Sequence, residues 1–262
     1  MRTKIKRIYN KVKRSYARYV YNKNKPYLDQ HDRIYHFHIR KSAGTSINSA
    51  FWNLSGLNLK VVKRTPLLIK GKYVYVRNNE HLIEEGNFFY GNSHIPFWNI
   101  KIPEKTFTFC MLRDPYKRLL SLYRYLKWVH SLDPKTALNQ EPYYKTVYKQ
   151  TAWLGDNFND FLESLPDKHL RNQLLMFSKT GSVDEAVKNI NTLNAIYNQE
   201  NFEKAIDDLS KVIGLKLNIN RERVFGGHKD LDISKEMEEK AKALLSDEYE
   251  FYNRVEQKYA LP

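Results

Sequence analysis

A single cysteine, Cys110, in 262 residues rules out any disulfide within the chain, so the core must rest on packing and hydrogen bonds. Long apolar runs are missing too. No stretch of about 18 apolar residues offers a transmembrane helix, and no short apolar segment reads as a signal peptide. Acid is scarce, with 29 Asp and Glu against 44 Lys and Arg. It is absent from the first 25 residues, which hold ten of the basic side chains, so most of the formal net charge of +15 belongs to the N-terminal tail. Also absent is any Gly-Lys-Ser or Gly-Lys-Thr triplet, and with it the Walker A loop of ordinary P-loop ATPases and kinases. No tandem repeat or low-complexity linker divides the sequence.

What is present suffices for a sizeable core: 42% of the residues are hydrophobic. Strand-like runs at 33–39, 73–76, 88–90, 106–112 and 193–197 alternate with helical stretches, which predicts an α/β fold with a parallel sheet covered on both faces. Right-handed crossovers would bring the loops that follow those strands to the carboxyl edge. Residues 128–180 read as an aromatic helical insertion, and two late helices are expected at Lys235–Leu245 and Asp247–Tyr259. In the tail, Ile5, Ile8, Tyr9, Val12, Tyr16, Tyr19 and Val20 recur with helical spacing among basic residues. That pattern predicts a basic amphipathic helix over 1–30, suited to an anionic membrane surface, ahead of a domain spanning 31–262.

Two segments carry chemistry. The first is Arg40-Lys41-Ser42-Ala43-Gly44-Thr45-Ser46, directly after the run Ile34–Ile39, with Ile47, Ala50, Phe51 and Leu54 continuing at helical spacing. A strand that feeds a small-residue loop and then a helix presents free backbone N–H groups and the positive end of the helix dipole to an anion. The second is Arg113-Asp114-Pro115-Tyr116-Lys117-Arg118-Leu119-Leu120-Ser121, after the run Thr106–Leu112. Asp114 can cap the helix, Pro115 suits its first turn, and Arg118 and Ser121 are neighbours on one side of it. Together with Arg113 they can hold a second phosphate.

These two segments resemble the 5′-phosphosulfate loop and the 3′-phosphate motif RDPxxRxxS of the sulfotransferase superfamily, which uses 3′-phosphoadenosine 5′-phosphosulfate (PAPS). The loop departs from the family pattern in having Arg40 in place of proline and Ala43-Gly44 at its centre. The likeness is greatest to the carbohydrate branch, the heparan-sulfate or uronyl 2-O-sulfotransferases, where Arg171-Asn172-Gln173-Leu174-Leu175 resembles a helix carrying Asn-Gln. It implies a P-loop-like three-layer fold, a central parallel sheet flanked by helices, with helical insertions.

The resemblance also implies roles. Lys41 would stabilise the departing phosphate, Arg40–Ser46 would hold the 5′-phosphosulfate, and Arg113, Arg118 and Ser121 would read the 3′-phosphate, with no metal required. His94, in Gly91-Asn92-Ser93-His94, falls where that branch carries its histidine base, with Glu84 and Glu85 as rival bases. His94 would touch the acceptor, and Asn172 and Gln173 the acceptor or the adenine. His36 and His38 alternate with apolar residues and read as core.

The function expected is sulfuryl transfer to a hydroxyl of a glycan or glycolipid precursor. The Golgi relatives are expected to carry a membrane span, so this chain is expected to be cytoplasmic and peripheral on the inner membrane face. Two other classes compete. A nucleotide-dependent phosphotransferase of similar fold would prefer ADP to adenosine 3′,5′-bisphosphate (PAP). A nucleic-acid-binding protein, suggested by the basic composition, would spread its charge along a face of the domain.

Overall fold

A computed structural model of the chain describes residues 2–56, 67–141, 143–219, 231 and 233–259; the side chains of residues 2–8, Ile5 and Ile8 among them, lie outside the described set. The chain runs through α1 (Arg2–Asn24), β1 (Arg33–Phe37), α2 (Gly44–Asn53), β2 (Leu68–Ile69), β3 (Lys72–Arg77), a helical turn at Glu80–Glu84, β4 (Phe88–Ser93) and β5 (Thr106–Leu112). It continues with α3 (Pro115–His130), several short helices, α4 (Asn172–Phe177), α5 (Val183–Ile190), β6 (Ala195–Asn198), α6 (Phe202–Val212), α7 (Lys235–Leu244) and α8 (Ser246–Tyr259). The described residues fall into two units, one of residues 1–38, 43–111 and 193–222, the other of residues 39–42, 112–192 and 223–262.

The first unit holds the sheet, in the order β2-β3-β4-β1-β5-β6. Pairing is parallel from β3 through β4 and β1 to β5, and antiparallel in the β2–β3 hairpin. Phe37 stands opposite Ser93 on one side and Cys110 on the other, so β1, β4 and β5 all finish at the same carboxyl edge. Period-two alternation explains the burial. Ile34, Phe109 and Met111 join Ile47, Phe51 and Trp52 of α2 and Ile206 and Leu209 of α6 in one cluster, while Tyr35, Phe37 and Cys110 are buried on the opposite face. Each such large side chain contributes about 1.5–3 kcal/mol when fully buried.

The predicted N-terminal helix is α1. Ala17 is buried in the same cluster, Tyr21 meets the edge of Phe89, and Asn24 Nδ2 donates to the Leu54 carbonyl at 2.8 Å. Tyr9, Val12, Tyr16 and Tyr19 are left exposed. No helix among the described residues is long and apolar enough to cross a membrane.

The second unit is helical. Leu119, Leu122 and Leu126 of α3 pack with Phe158, Phe161, Leu162, Ala241 and Leu245. Asp114 caps α3 by accepting from the Lys117 N–H at 2.8 Å, with Pro115 in the first turn, as the sequence predicts. The two late helices also lie where predicted. The predicted strand 33–39 stops at Phe37, because the chain leaves the sheet and turns at Lys41, whose φ of 67° is left-handed.

Candidate active site

In the second unit the loop residues Arg40, Lys41 and Ser42 are tightly held. The Arg40 guanidinium donates to Gln150 Oε1 at 2.8 Å and to His169 Nδ1 at 3.1 Å, and its backbone N–H donates to Asn172 Oδ1 at 3.1 Å. His169 can accept because burial first, then the charges of Arg40, Lys168 and Arg118, lower its pKa to about 4 and keep it neutral. Arg40 therefore braces the loop. Lys41 sits in the left-handed region, a conformation that costs a non-glycine residue roughly 1–3 kcal/mol. Its ammonium lies 4.2 Å from the centre of the Tyr125 ring, and the Tyr125 hydroxyl donates to Glu141 Oε2 at 3.1 Å. Arg113 joins this group directly: its Nη1 donates to the Lys41 carbonyl at 3.1 Å.

Arg118 takes a different place from the one its spacing suggests. It is fully buried, its Nε and Nη2 each 3.0 Å from Glu248 Oε1, and it also donates to the His169 and Leu170 carbonyls. Ser121 is half-buried, one turn along α3. Asn172 and Gln173, expected to face an acceptor, are engaged inside the unit: Asn172 with the Arg40 N–H and the Lys168 carbonyl, and Gln173 with both backbone groups of Arg113. Glu248 and Tyr125 were not singled out from sequence. For Glu248 a signal existed, since it occupies the apolar stripe that Phe251, Tyr252 and Val255 continue.

In the first unit the loop passes into α2 through Ala43, also left-handed at φ 53°, with no side chain capping the helix. The N–H groups of Gly44 and Thr45 lead α2 ahead of its first regular hydrogen bonds, with the Thr45 and Ser46 side chains half-buried beside them. Gly44 is required by contact: a Cβ there would stand 1.9 Å from His38 Nε2. His38 in turn lies 4.3 Å, ring centre to ring centre, from His94, the candidate base.

His94 Nδ1 donates to the His38 carbonyl at 2.6 Å, and the His94 N–H donates to Asn78 Oδ1 at 3.1 Å. A carbonyl only accepts, so a proton resides on Nδ1, and in the neutral ring Nε2 is the nitrogen that carries the lone pair. The rival carboxylates lie elsewhere: Glu84 is exposed and accepts from the Lys101 N–H, and Glu85 pairs with His81 on the surface. His36 is core, as expected. It stacks on Phe109 at 4.5 Å, and burial lowers its pKa to about 3.

A lysine in a strained loop between a strand and a helix N-terminus, with an arginine from a second strand exit beside it, defines an α/β protein that binds phosphate-type anions. The model of the sulfotransferase family matches residues 26–257, most of the chain, and the chain belongs to that family. Its activity is accordingly PAPS-dependent sulfuryl transfer. Among solved structures, retinol dehydratase in complex with androsterone and inactive cofactor PAP is similar over 88% of this chain and 83% of that chain, at 13% identity and a TM-score of 0.30. No match is found among curated proteins.

The residues present fit an anionic donor. The Ser42 hydroxyl is buried and has no hydrogen-bond partner among the described residues, within a loop whose lysine is already turned into a left-handed conformation. Among the described residues no group of three or more His, Cys, Asp or Glu is placed to hold a metal ion.

Proposed function

We propose that this sulfotransferase acts on a carbohydrate hydroxyl of a glycan or glycolipid precursor, with His94 as the base. The observation that carries this reading is the fixed tautomer of His94, whose Nδ1 is committed to the His38 carbonyl. The base then takes the acceptor proton on Nε2 as the new oxygen–sulfur bond forms and the sulfur–oxygen bond to the phosphate breaks. PAPS supplies the sulfuryl group and leaves as PAP. Lys41 stabilises the charge that grows on the departing phosphate, and the N–H groups and hydroxyls of Gly44, Thr45 and Ser46 hold the 5′-phosphate. Arg113 and Ser121 hold the 3′-phosphate. Arg40 and Arg118 serve as braces, in keeping with their buried partners.

The test is transfer of radiolabelled sulfate from PAPS to a panel of glycan acceptors, beside steroid and small phenolic alcohols. Labelled glycan supports the reading, and label only in the small alcohols would overturn it. Lys41→Ala should lower kcat by on the order of 10²–10³-fold while leaving PAP affinity within a few fold. Binding of ADP in preference to PAP would favour the phosphotransferase class instead.

The exposed Tyr9, Val12, Tyr16 and Tyr19 on a basic helix support peripheral contact with an anionic membrane, where a lipid-linked acceptor would be found. Co-sedimentation with vesicles containing phosphatidylglycerol, and its loss on deleting residues 1–25, tests that contact. Equal binding to neutral vesicles would refute it.

A further inference from the structure

We propose that Gln173 is a positioning residue that sets the 3′-phosphate arginine, Arg113, by pairing with its backbone as a neighbouring strand would. Its Oε1 accepts from the Arg113 N–H at 2.9 Å, and its Nε2 donates to the Arg113 carbonyl at 2.8 Å. One side-chain amide thus satisfies both main-chain groups of the residue just beyond β5, where the ladder has ended. The same Nε2 lies 3.3 Å from Glu248 Oε1, and Glu248 Oε2 accepts from the backbone N–H of Gln173 at 3.1 Å.

The direction of the amide follows from these partners. The Arg113 N–H can only donate, and the Glu248 carboxylate accepts from the Arg118 guanidinium and the N–H groups of Gln173 and Leu174, so the NH₂ end of Gln173 is the one that faces it. Oε1 must then point at the Arg113 N–H. Gln173 and Glu248 are both fully buried, so the arrangement is shielded from water and from alternative partners. Glutamine is the side chain that meets these demands: glutamate cannot donate, and methionine of similar length can do neither.

The inference rests on Arg113 holding the 3′-phosphate, and the experiment separates the two claims. Calorimetry would compare PAP with adenosine 5′-monophosphate, which lacks that phosphate, on wild type and Gln173→Met. Wild type should prefer PAP. The variant should lose PAP affinity by on the order of tenfold and keep its affinity for the monophosphate, a selective loss that general damage to the fold would not produce. A variant that retained the full preference would overturn the role of Gln173 and leave the 3′-phosphate reading intact. Equal binding of both nucleotides by wild type would overturn both. Hydrogen exchange at the Arg113 amide of wild type needs no variant: slow exchange is expected, and exchange at the rate of an open loop would refute the pairing.

Discussion

The two units hold their key side chains by opposite means. In the second a buried carboxylate is the anchor: Arg118 is paired with Glu248 and Gln173 is oriented by it, while Arg40 is gripped by neutral acceptors. In the first, His36 lies between Phe109 and His38, His38 lies against His94, and His94 is oriented by a backbone carbonyl. The difference suits the two proposed roles. Binding a polyanion needs cations that stay charged and still, whereas a base needs an uncharged imidazole with one nitrogen open. A carboxylate orienting His94 would favour its protonated form; a carbonyl sets the tautomer without adding a full negative charge.

The largest test of this contrast sets the two arginines of the RDPxxRxxS segment against each other. Arg118→Ala leaves Glu248 buried without its counter-ion and should cost about 3–5 kcal/mol of stability by denaturant unfolding. Arg113→Ala should leave the unfolding midpoint nearly unchanged and weaken PAP binding. Should Arg118→Ala unfold like wild type, the buried pair would not be the brace described here.

His94→Ala should come next, lowering kcat by on the order of 10²–10⁴-fold with PAP affinity unchanged. Near-normal turnover would remove His94 as base and return Glu84 and Glu85 to consideration. His94→Gln preserves a donor to the His38 carbonyl but no basic nitrogen, so it should be as slow as alanine.

Much of the fold was legible because its signals are local. Near-continuous runs buried on both faces mark β1 and β5, and Asp114-Pro115 marks the start of α3, all within a few residues of sequence. The lysine loop was legible for the same reason. Arg118 was not, since its spacing from Ser121 suggested a shared ligand while its true partner, Glu248, lies 130 residues further on. Asn172 and Gln173 stand out in sequence only through their resemblance to a helix carrying Asn-Gln, and the hydrogen bonds reveal that they grip backbone. In sequence Gly44 is one of the small residues of the loop; the contact that excludes a side chain there comes from His38, on the preceding strand exit. Local pattern names the segments, and non-local contacts assign the work within them.

The smallest effect concerns proton binding, and it reaches both units. His36 and His169 have folded pKa values of about 3 and about 4, lowered chiefly by burial, against about 6.5 in an unfolded chain. Between those limits the unfolded state binds more protons than the folded one. The contribution of each histidine is therefore complete above about pH 6.5 and is lost as the pH falls toward its folded value. Glu185, held at about 2 chiefly by the Ser178 and Thr180 hydroxyls, acts only below the ordinary carboxylate range, while burial raises Glu248 above it and gives it the opposite sign, so the part due to His169 is read from the difference between wild type and variant. Thermal melting from about pH 6.5 to about pH 4.5 should show a progressive fall in Tm for wild type and a shallower one for His169→Gln, whose amide can still accept from Arg40. Parallel slopes for the two proteins would mean that His169 is protonated in the folded state, and Arg40 would then face a cation where the structure shows an acceptor.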